Sequence, residues 1–149
     1  MDAVKGFRGD YSFLSNFYPS PFYLAGDRYL TGEHAFQCMK TRSEPERILI
    51  QMQRRPADAK RIGREVTLRP DWESVKAYIM YKVVFEKFNQ NPPLLNLLFR
   101  TGDAMLYEVN TWGDTYWGVN PQGEGSNTLG LILMRARAEL HDLGPQALK

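Results

Sequence analysis

Glu33, Gln37 and Lys40 stand at positions i, i+4 and i+7, the spacing that gathers side chains on one face of a helix. A carboxylate placed there can position a sugar hydroxyl, deprotonate a water or steady a cationic carbon. An amine can serve as its charge partner, or as a nucleophile once burial lowers its pKa. The same residues also suit an exposed helix with solvated charges, since a carboxylate in a first turn gains about 0.3–1 kcal/mol from the helix dipole. His34 beside Glu33 reads as a hydrogen-bonded, partly buried imidazole or as a catalytic one.

A second segment, Trp112-Gly113-Asp114 with Trp117-Gly118, sets a carboxylate among indoles and glycines. Glycine lets backbone approach a ligand closely, tryptophan offers a stacking face, and Asp114 offers an acceptor for a ribose hydroxyl or an attacking water. A tight turn with its tryptophans packed inward explains the run equally well. Asn16 and Phe17 lie in an aromatic, turn-rich stretch where an amide can read a base or phosphate and a ring can stack. Arg8 can pair with a phosphate, and Asn127 can orient a substrate. Arg54, Arg55, Lys60, Arg61, Arg64 and Arg69 form a basic stretch, either a solvated face or a phosphate-binding surface. The whole reading requires the acid-and-amine helix and the indole-glycine loop to serve one cavity sized for a pentose.

Several chemistries are argued against. There is no Gly-x-Gly-x-x-Gly, no Walker phosphate loop and no Gly-x-Ser-x-Gly elbow, which disfavours a dehydrogenase, a nucleotide triphosphatase or a serine hydrolase. Cys38 is the single cysteine and reads as a small buried hydrophobe; it and the two histidines, His34 and His141, match no metal-ligand spacing, so no metal or other cofactor is expected. A net charge of +2 does not suit a sequence-independent DNA binder. No apolar run reaches the ~18–20 residues of a membrane span, and the first residues lack a secretory signal, so the expected compartment is the cytoplasm. With 149 residues, 43% of them hydrophobic, one domain over 1–149 can bury roughly 68–70% of its unfolded surface.

The elements that must position these groups follow from capping and breaking residues. Ala25 to Arg28 predicts a hairpin turn between Pro21–Leu24 and Arg28–Leu30. Thr31 caps a helix reaching about Thr41, and a second runs from near Ser43 to about Gln53. A short helix spans Pro56 to Gly63, and Val66 to Leu68 is extended. The longest helix runs from Asp71, its cap, to Asn89, with a broad apolar stripe that predicts extensive burial. Pro93 to Arg100 forms another helix and Met105 to Val109 a strand. Gly118 to Gly125 is loop, and Asn127 caps a last helix through about Leu140.

These segments resemble the NADAR, or YbiA-like, family over nearly the whole chain, from Phe7 to about Leu140. The resemblance rests on Leu14-Ser15-Asn16-Phe17, on Thr31 to Gln37 with Lys40, on Ala59-Lys60 with Gly63-Arg64, and on Arg69-Pro70-Asp71-Trp72. It continues through Met80, Lys87 to Asn91, Leu97-Leu98 with Thr101-Gly102, Trp112 to Asp114, Trp117-Gly118 and Asn127 to Gly130. Gly32 departs from the pattern, standing where the family usually has a small apolar residue, and is expected to loosen the helix start. The resemblance implies an α+β, predominantly α, compact single-domain YbiA-like fold with a small antiparallel sheet. It also implies an N-glycosidase that needs no metal, with Glu33, Asp114 and Lys40 as catalytic residues and Trp72 in the site; Trp117 would be a second wall of the pocket. The substrate implied is a small ribosylated, nucleotide-like molecule, as in ribosylamino intermediates of riboflavin synthesis. Alternatives are an ADP-ribosyl glycohydrolase acting on guanine in nucleic acid, or a module that binds ADP-ribose without cleaving it. Two routes to cleavage stay open: water guided by a carboxylate, and a Schiff base through Lys40.

Overall fold

The computed structural model describes residues 2–144; the expected single domain over 1–149 also takes in Met1 and residues 145–149, which lie outside the described residues. The chain resolves into two compact units. One comprises residues up to Ser15 together with those from Asn91 onward, and the other is Asn16–Gln90.

The Asn16–Gln90 unit is helical around one hairpin. Strands β2 (Phe22–Leu24) and β3 (Asp27–Tyr29) pair antiparallel with Leu24 opposite Asp27, so Ala25 and Gly26 alone make the turn. Both take positive φ, 52° and 89°, as a type I′ hairpin requires. Helices α1 (Gly32–Cys38), α2 (Glu44–Gln51), α3 (Pro56–Gly63) and α4 (Trp72–Asn89) follow. Helix α1 is the hub, buried along its whole length and packed on α2, α3 and α4, while α4 also covers β2. Pro45 and Pro56 sit in the first turns of α2 and α3, where a missing N–H costs nothing. Phe22, Ala35, Phe36, Ile50, Ala59, Val83 and Phe88 make the core.

In the other unit, strand β1 (Ala3–Lys5) pairs in parallel with β4 (Met105–Tyr107), Val4 opposite Leu106. Helix α6 (Thr128–Leu143) lies on β4 and meets α5 (Pro92–Arg100). Leu95, Leu98, Leu106, Leu133, Ala136 and Leu140 fill this interior. Gly130 allows the close approach: a side chain there would strike the carbonyl of Leu106.

The predominantly α, α+β reading holds, and the antiparallel hairpin is where the turn residues put it. The parallel β1–β4 pair was not anticipated, because three residues show no alternation and the partner lies at the far end of the chain. Other expectations change in detail. Helix α1 stops at Cys38 rather than near Thr41, because Thr41 turns away to donate from Oγ1 to Glu46 Oε1 at 2.6 Å and to receive the Ser43 N–H. Val66 to Leu68 joins no strand; Thr67 N–H instead donates to the Glu46 carboxylate. Asp71 occupies the N-cap of α4 without capping it, its carboxylate being gripped by Arg69 at 2.6 and 3.0 Å. Helix α4 buries one face only, leaving Tyr78 65% exposed. Asn127 adopts the left-handed conformation and does not cap α6 with its side chain. Gly32 does not loosen α1, whose cap is intact; its bare Cα faces Asn16 Oδ1, which a side chain would meet at 3.0 Å.

Candidate active site

Thr31 sets the site's first helix. Its Oγ1 accepts from His34 N–H at 3.2 Å and lies 2.8 Å from Nδ1 of the same residue. His34 Nε2 is 2.7 Å from the Gln53 carbonyl, which can only accept, so that nitrogen carries the proton and Nδ1 accepts from the Thr31 hydroxyl. With both nitrogens engaged and burial lowering its pKa, His34 is a structural imidazole that ties α1 to the end of α2.

The next residue back is Glu33. Its backbone N–H donates to the Asn16 carbonyl at 3.0 Å, which fastens the Asn16 segment to the start of α1. Asn16 is itself buried, with its amide donating to Met80 Sδ at 3.2 Å. Glu33 is only 8% exposed, and its Oε1 accepts from Gln37 Nε2 at 2.7 Å one turn on. Burial pushes this carboxyl above the usual carboxylate range. The Gln37 bond and the charges of Lys60, Lys40 and Arg64 pull the other way without cancelling that effect.

Lys40 does not ride on the helix face that its spacing suggested. It follows the C-cap Met39, and a tight turn closed by its N–H to the Gln37 carbonyl at 3.2 Å returns it toward the acid. It is half-buried, and burial holds its ammonium below the ordinary lysine range. Glu33 opposes that shift, whereas Arg64 and Lys60 reinforce it. An acid displaced upward beside an amine displaced downward is the arrangement that proton transfer and amine nucleophilicity both require.

Helix α3 completes this side. Gly63 faces Gln37 so closely that an added methyl would sit 2.7 Å from Gln37 Cδ and nearer still to Oε1. Lys60, on the same helix, holds Nζ 5.9 Å from the centre of the Phe17 ring, and that ring is 39% exposed. Trp72, expected in the site, is 6% exposed and packs its ring 5.1 Å from Phe36. Cys38 is buried, its thiol pushed up to about 12 by burial, in keeping with a small core residue.

The structure therefore gathers Asn16, Phe17, Glu33, Lys40 and Trp72 in one unit. Arg8, Asp114, Trp117 and Asn127 belong to the other. There, Asp114 Oδ1 accepts from the N–H groups of Tyr116 at 3.1 Å and Trp117 at 2.9 Å, which shapes the indole loop. The Tyr116 and Trp117 rings meet edge to face at 4.7 Å. Asn127 donates to the Leu106 carbonyl and accepts from Glu108 N–H, pinning α6 to the β4 edge. Arg8 donates to the Val109 carbonyl at 3.2 Å.

The NADAR domain matches residues 5–141. This chain belongs to the NADAR family. N-glycosidase YbiA of Escherichia coli strain K12 is 41% identical over 133 residues, covering 88% of this chain and 82% of that protein. The solution structure of E. coli YbiA superposes with a TM-score of 0.83 at 38% identity, over 95% of this chain and 86% of that one. A riboflavin biosynthesis protein of Vibrio vulnificus is 36% identical over 138 residues, spanning 91% of this NADAR chain but 37% of the longer relative. Among the described residues no cluster of histidine, cysteine and carboxylate side chains has metal-binding form, and no helix is long and apolar enough to cross a membrane.

Lys60 and Arg64 carry no site role in the sequence reading, where they fall in a basic run and in the Ala59-Lys60 and Gly63-Arg64 matches. Their spacing on α3 is helical, but what singles them out is the acid they act on, which belongs to a different helix.

Proposed function

We propose that this chain is an N-glycosidase that hydrolyses the bond between ribose C1′ and the nitrogen of a base or amine. The observation that carries the reading is the buried Glu33 carboxyl, bonded to Gln37 and electrostatically coupled to half-buried Lys40. The relatives named N-glycosidase support the activity. Those named riboflavin biosynthesis proteins support a small ribosylamine as substrate. The proposal includes the cytoplasm as the compartment of the reaction.

In this reading the ribosylamine ring opens, breaking C1′–O4′ and leaving C1′ doubly bonded to the substrate nitrogen. The neutral Lys40 amine adds to C1′. Glu33 passes a proton to the departing nitrogen, which leaves with its electron pair and yields a Lys40 imine. Water then adds to that carbon, Glu33 takes up a proton, and lysine is released, so the sum is one water consumed and one C–N bond broken. Asn16 and Phe17 contact the substrate in this scheme, Trp72 excludes water, and Arg8, Asp114, Trp117 and Asn127 are further proposed contributors.

Product analysis tests the reading. A phosphorylated ribosylamine and an ADP-ribosylated guanine are incubated in parallel, with Glu33→Ala as the blank. Free amine and ribose phosphate from the first identify the proposed activity. ADP-ribose released from the second identifies a glycohydrolase instead. Tight binding with neither product would reduce the protein to a nucleotide-binding module.

A further inference from the structure

Helix α2 carries its polarity the wrong way round. The side turned to the protein holds buried Ile50 together with half-buried polar residues that are hydrogen-bonded to their own chain. Glu46 accepts from Thr41 Oγ1 at 2.6 Å and from Thr67 N–H at 3.0 Å, and Gln51 Nε2 donates to the Arg28 carbonyl at 3.0 Å. Arg47 donates to Met39 Sδ at 3.6 Å. The side turned to solvent is Pro45, Ile48, Leu49 and Met52, positions i, i+3, i+4 and i+7 of one stripe. Ile48 is 47% exposed, Leu49 48% and Met52 70%. A helix that served only to cover its own domain would turn its apolar residues inward and its polar ones outward. Single exposed leucines are ordinary on a protein surface, whereas an ordered apolar stripe with polar residues tucked beneath it marks a contact face.

The ends of the stripe select what fits it. Glu44 is exposed at the N-terminal end of α2 and Arg54 just beyond the C-terminal end. Among the described residues neither side chain has an ion pair or a hydrogen bond. The other arginines around the helix are matched to carboxylates, Arg42 to Asp71 at 3.6 Å and Arg55 to Asp58 at 2.9 Å. The helix dipole favours acid first and base last within one copy. Two copies laid antiparallel about a two-fold axis bring the acid of each beside the arginine of the other. With the axis between Ile48 and Leu49, Pro45 faces Met52 of the second copy and Ile48 faces its Leu49. Glu44 then falls within one residue of the position opposite Arg54. A net charge of +2 leaves little repulsion between copies. An anionic lipid surface is a poorer match, since Glu44 stands at the edge of the stripe and no aromatic ring lies on it.

We propose that the 45–52 face of α2 is a self-association surface on which a second copy of this chain docks antiparallel. The stripe rises only about 10 Å along the helix, so the interface is small and the dimer is a weak one that forms with concentration. Self-association does not depend on the N-glycosidase reading and is measured without turnover.

Sedimentation equilibrium of the full chain from about 10 µM to about 1 mM should show the monomer giving way to a dimer. Leu49→Glu, which sets two like charges across the axis, should weaken association at least about tenfold. Leu131→Glu, at an exposed leucine of α6, should leave it unchanged. Circular dichroism checks that each variant is folded. Glu44→Arg and Arg54→Glu should each weaken the dimer by roughly three- to tenfold, and the two together should restore it to within about twofold. A chain that stays monomeric at the highest concentration overturns the proposal. So does a dimer indifferent to Leu49→Glu, or a double charge reversal without rescue. Vesicles of mixed neutral and anionic phospholipid form the second arm: binding that Leu49→Glu abolishes, by a chain that stays monomeric, would give the face to a membrane instead.

Discussion

Gln37 Nε2 donates to Glu33 Oε1 at 2.7 Å, one helical turn apart and between two buried residues. The bond depends on a third residue, since the amide lies where a side chain at Gly63 would stand. Gly63→Ala should therefore act on Glu33 from a distance. Overpacking of this kind costs about 1–3 kcal/mol, which should lower the melting temperature. It should also shift the acidic limb of the pH–rate profile, because the partner of the carboxyl is displaced. A profile unchanged in shape would mean that Gln37 does not tune Glu33.

Glu33→Gln should abolish turnover by about two orders of magnitude or more and should stabilise the fold at neutral pH. The sign follows from burial. The folded carboxyl holds its proton to higher pH than the unfolded one, so wild-type stability falls as pH rises from about 4.3 through the folded pKa. The variant escapes that loss. Thermal melts at pH 8 should favour it by about 2–4 °C for each kcal/mol relieved, and melts at pH 4 should not distinguish the two.

Borohydride added during turnover should reduce a sugar imine onto Lys40, visible as added mass on the peptide that contains it. Lys40→Ala should show no adduct and should lose at least about a hundredfold in kcat. Full activity in Lys40→Ala would leave water attack guided by Glu33 as the route.

Lys87 supplies a test of the fold alone. It is 1% exposed within α4, and burial brings its ammonium down to about 7. Above that pH the native form has shed its proton while the unfolded form keeps it up to about 10.4, so stability rises as pH increases from 7. The Cys38 thiol, pushed up to about 12, works in the reverse sense once pH exceeds about 8.5. Between pH 7 and 8.5 the wild type should gain melting temperature relative to Lys87→Met, and equal slopes would mean that Lys87 titrates normally.

Asp114→Asn should separate loop building from chemistry. Asparagine keeps a side-chain oxygen for the N–H groups of Tyr116 and Trp117 but removes the charge. The variant should melt like the wild type and lose about tenfold or more in kcat/KM. Unimpaired turnover would assign Asp114 to the loop's shape alone.

Much of this protein can be read from local chemistry. Thr31, Ser43 and Pro56 mark helix starts because a cap oxygen or a prolyl nitrogen acts within its own first turn. Ala25-Gly26 marks the hairpin because a two-residue turn of positive φ matches the strand twist. Glu33 and Gln37 could be paired from spacing, since four residues is one turn. Their relation to α3 could not, because the Gly63 contact and the charges of Lys60 and Arg64 come from a helix that reaches α1 only through packing. Lys40 shows the same limit: its spacing placed it on the α1 face, but the helix ended first and a turn carried it there instead. Whether a cation is a solvated surface charge or the neighbour of a buried acid depends on burial and on what lies across the helix interface. A linear sequence encodes those properties only through the folded whole.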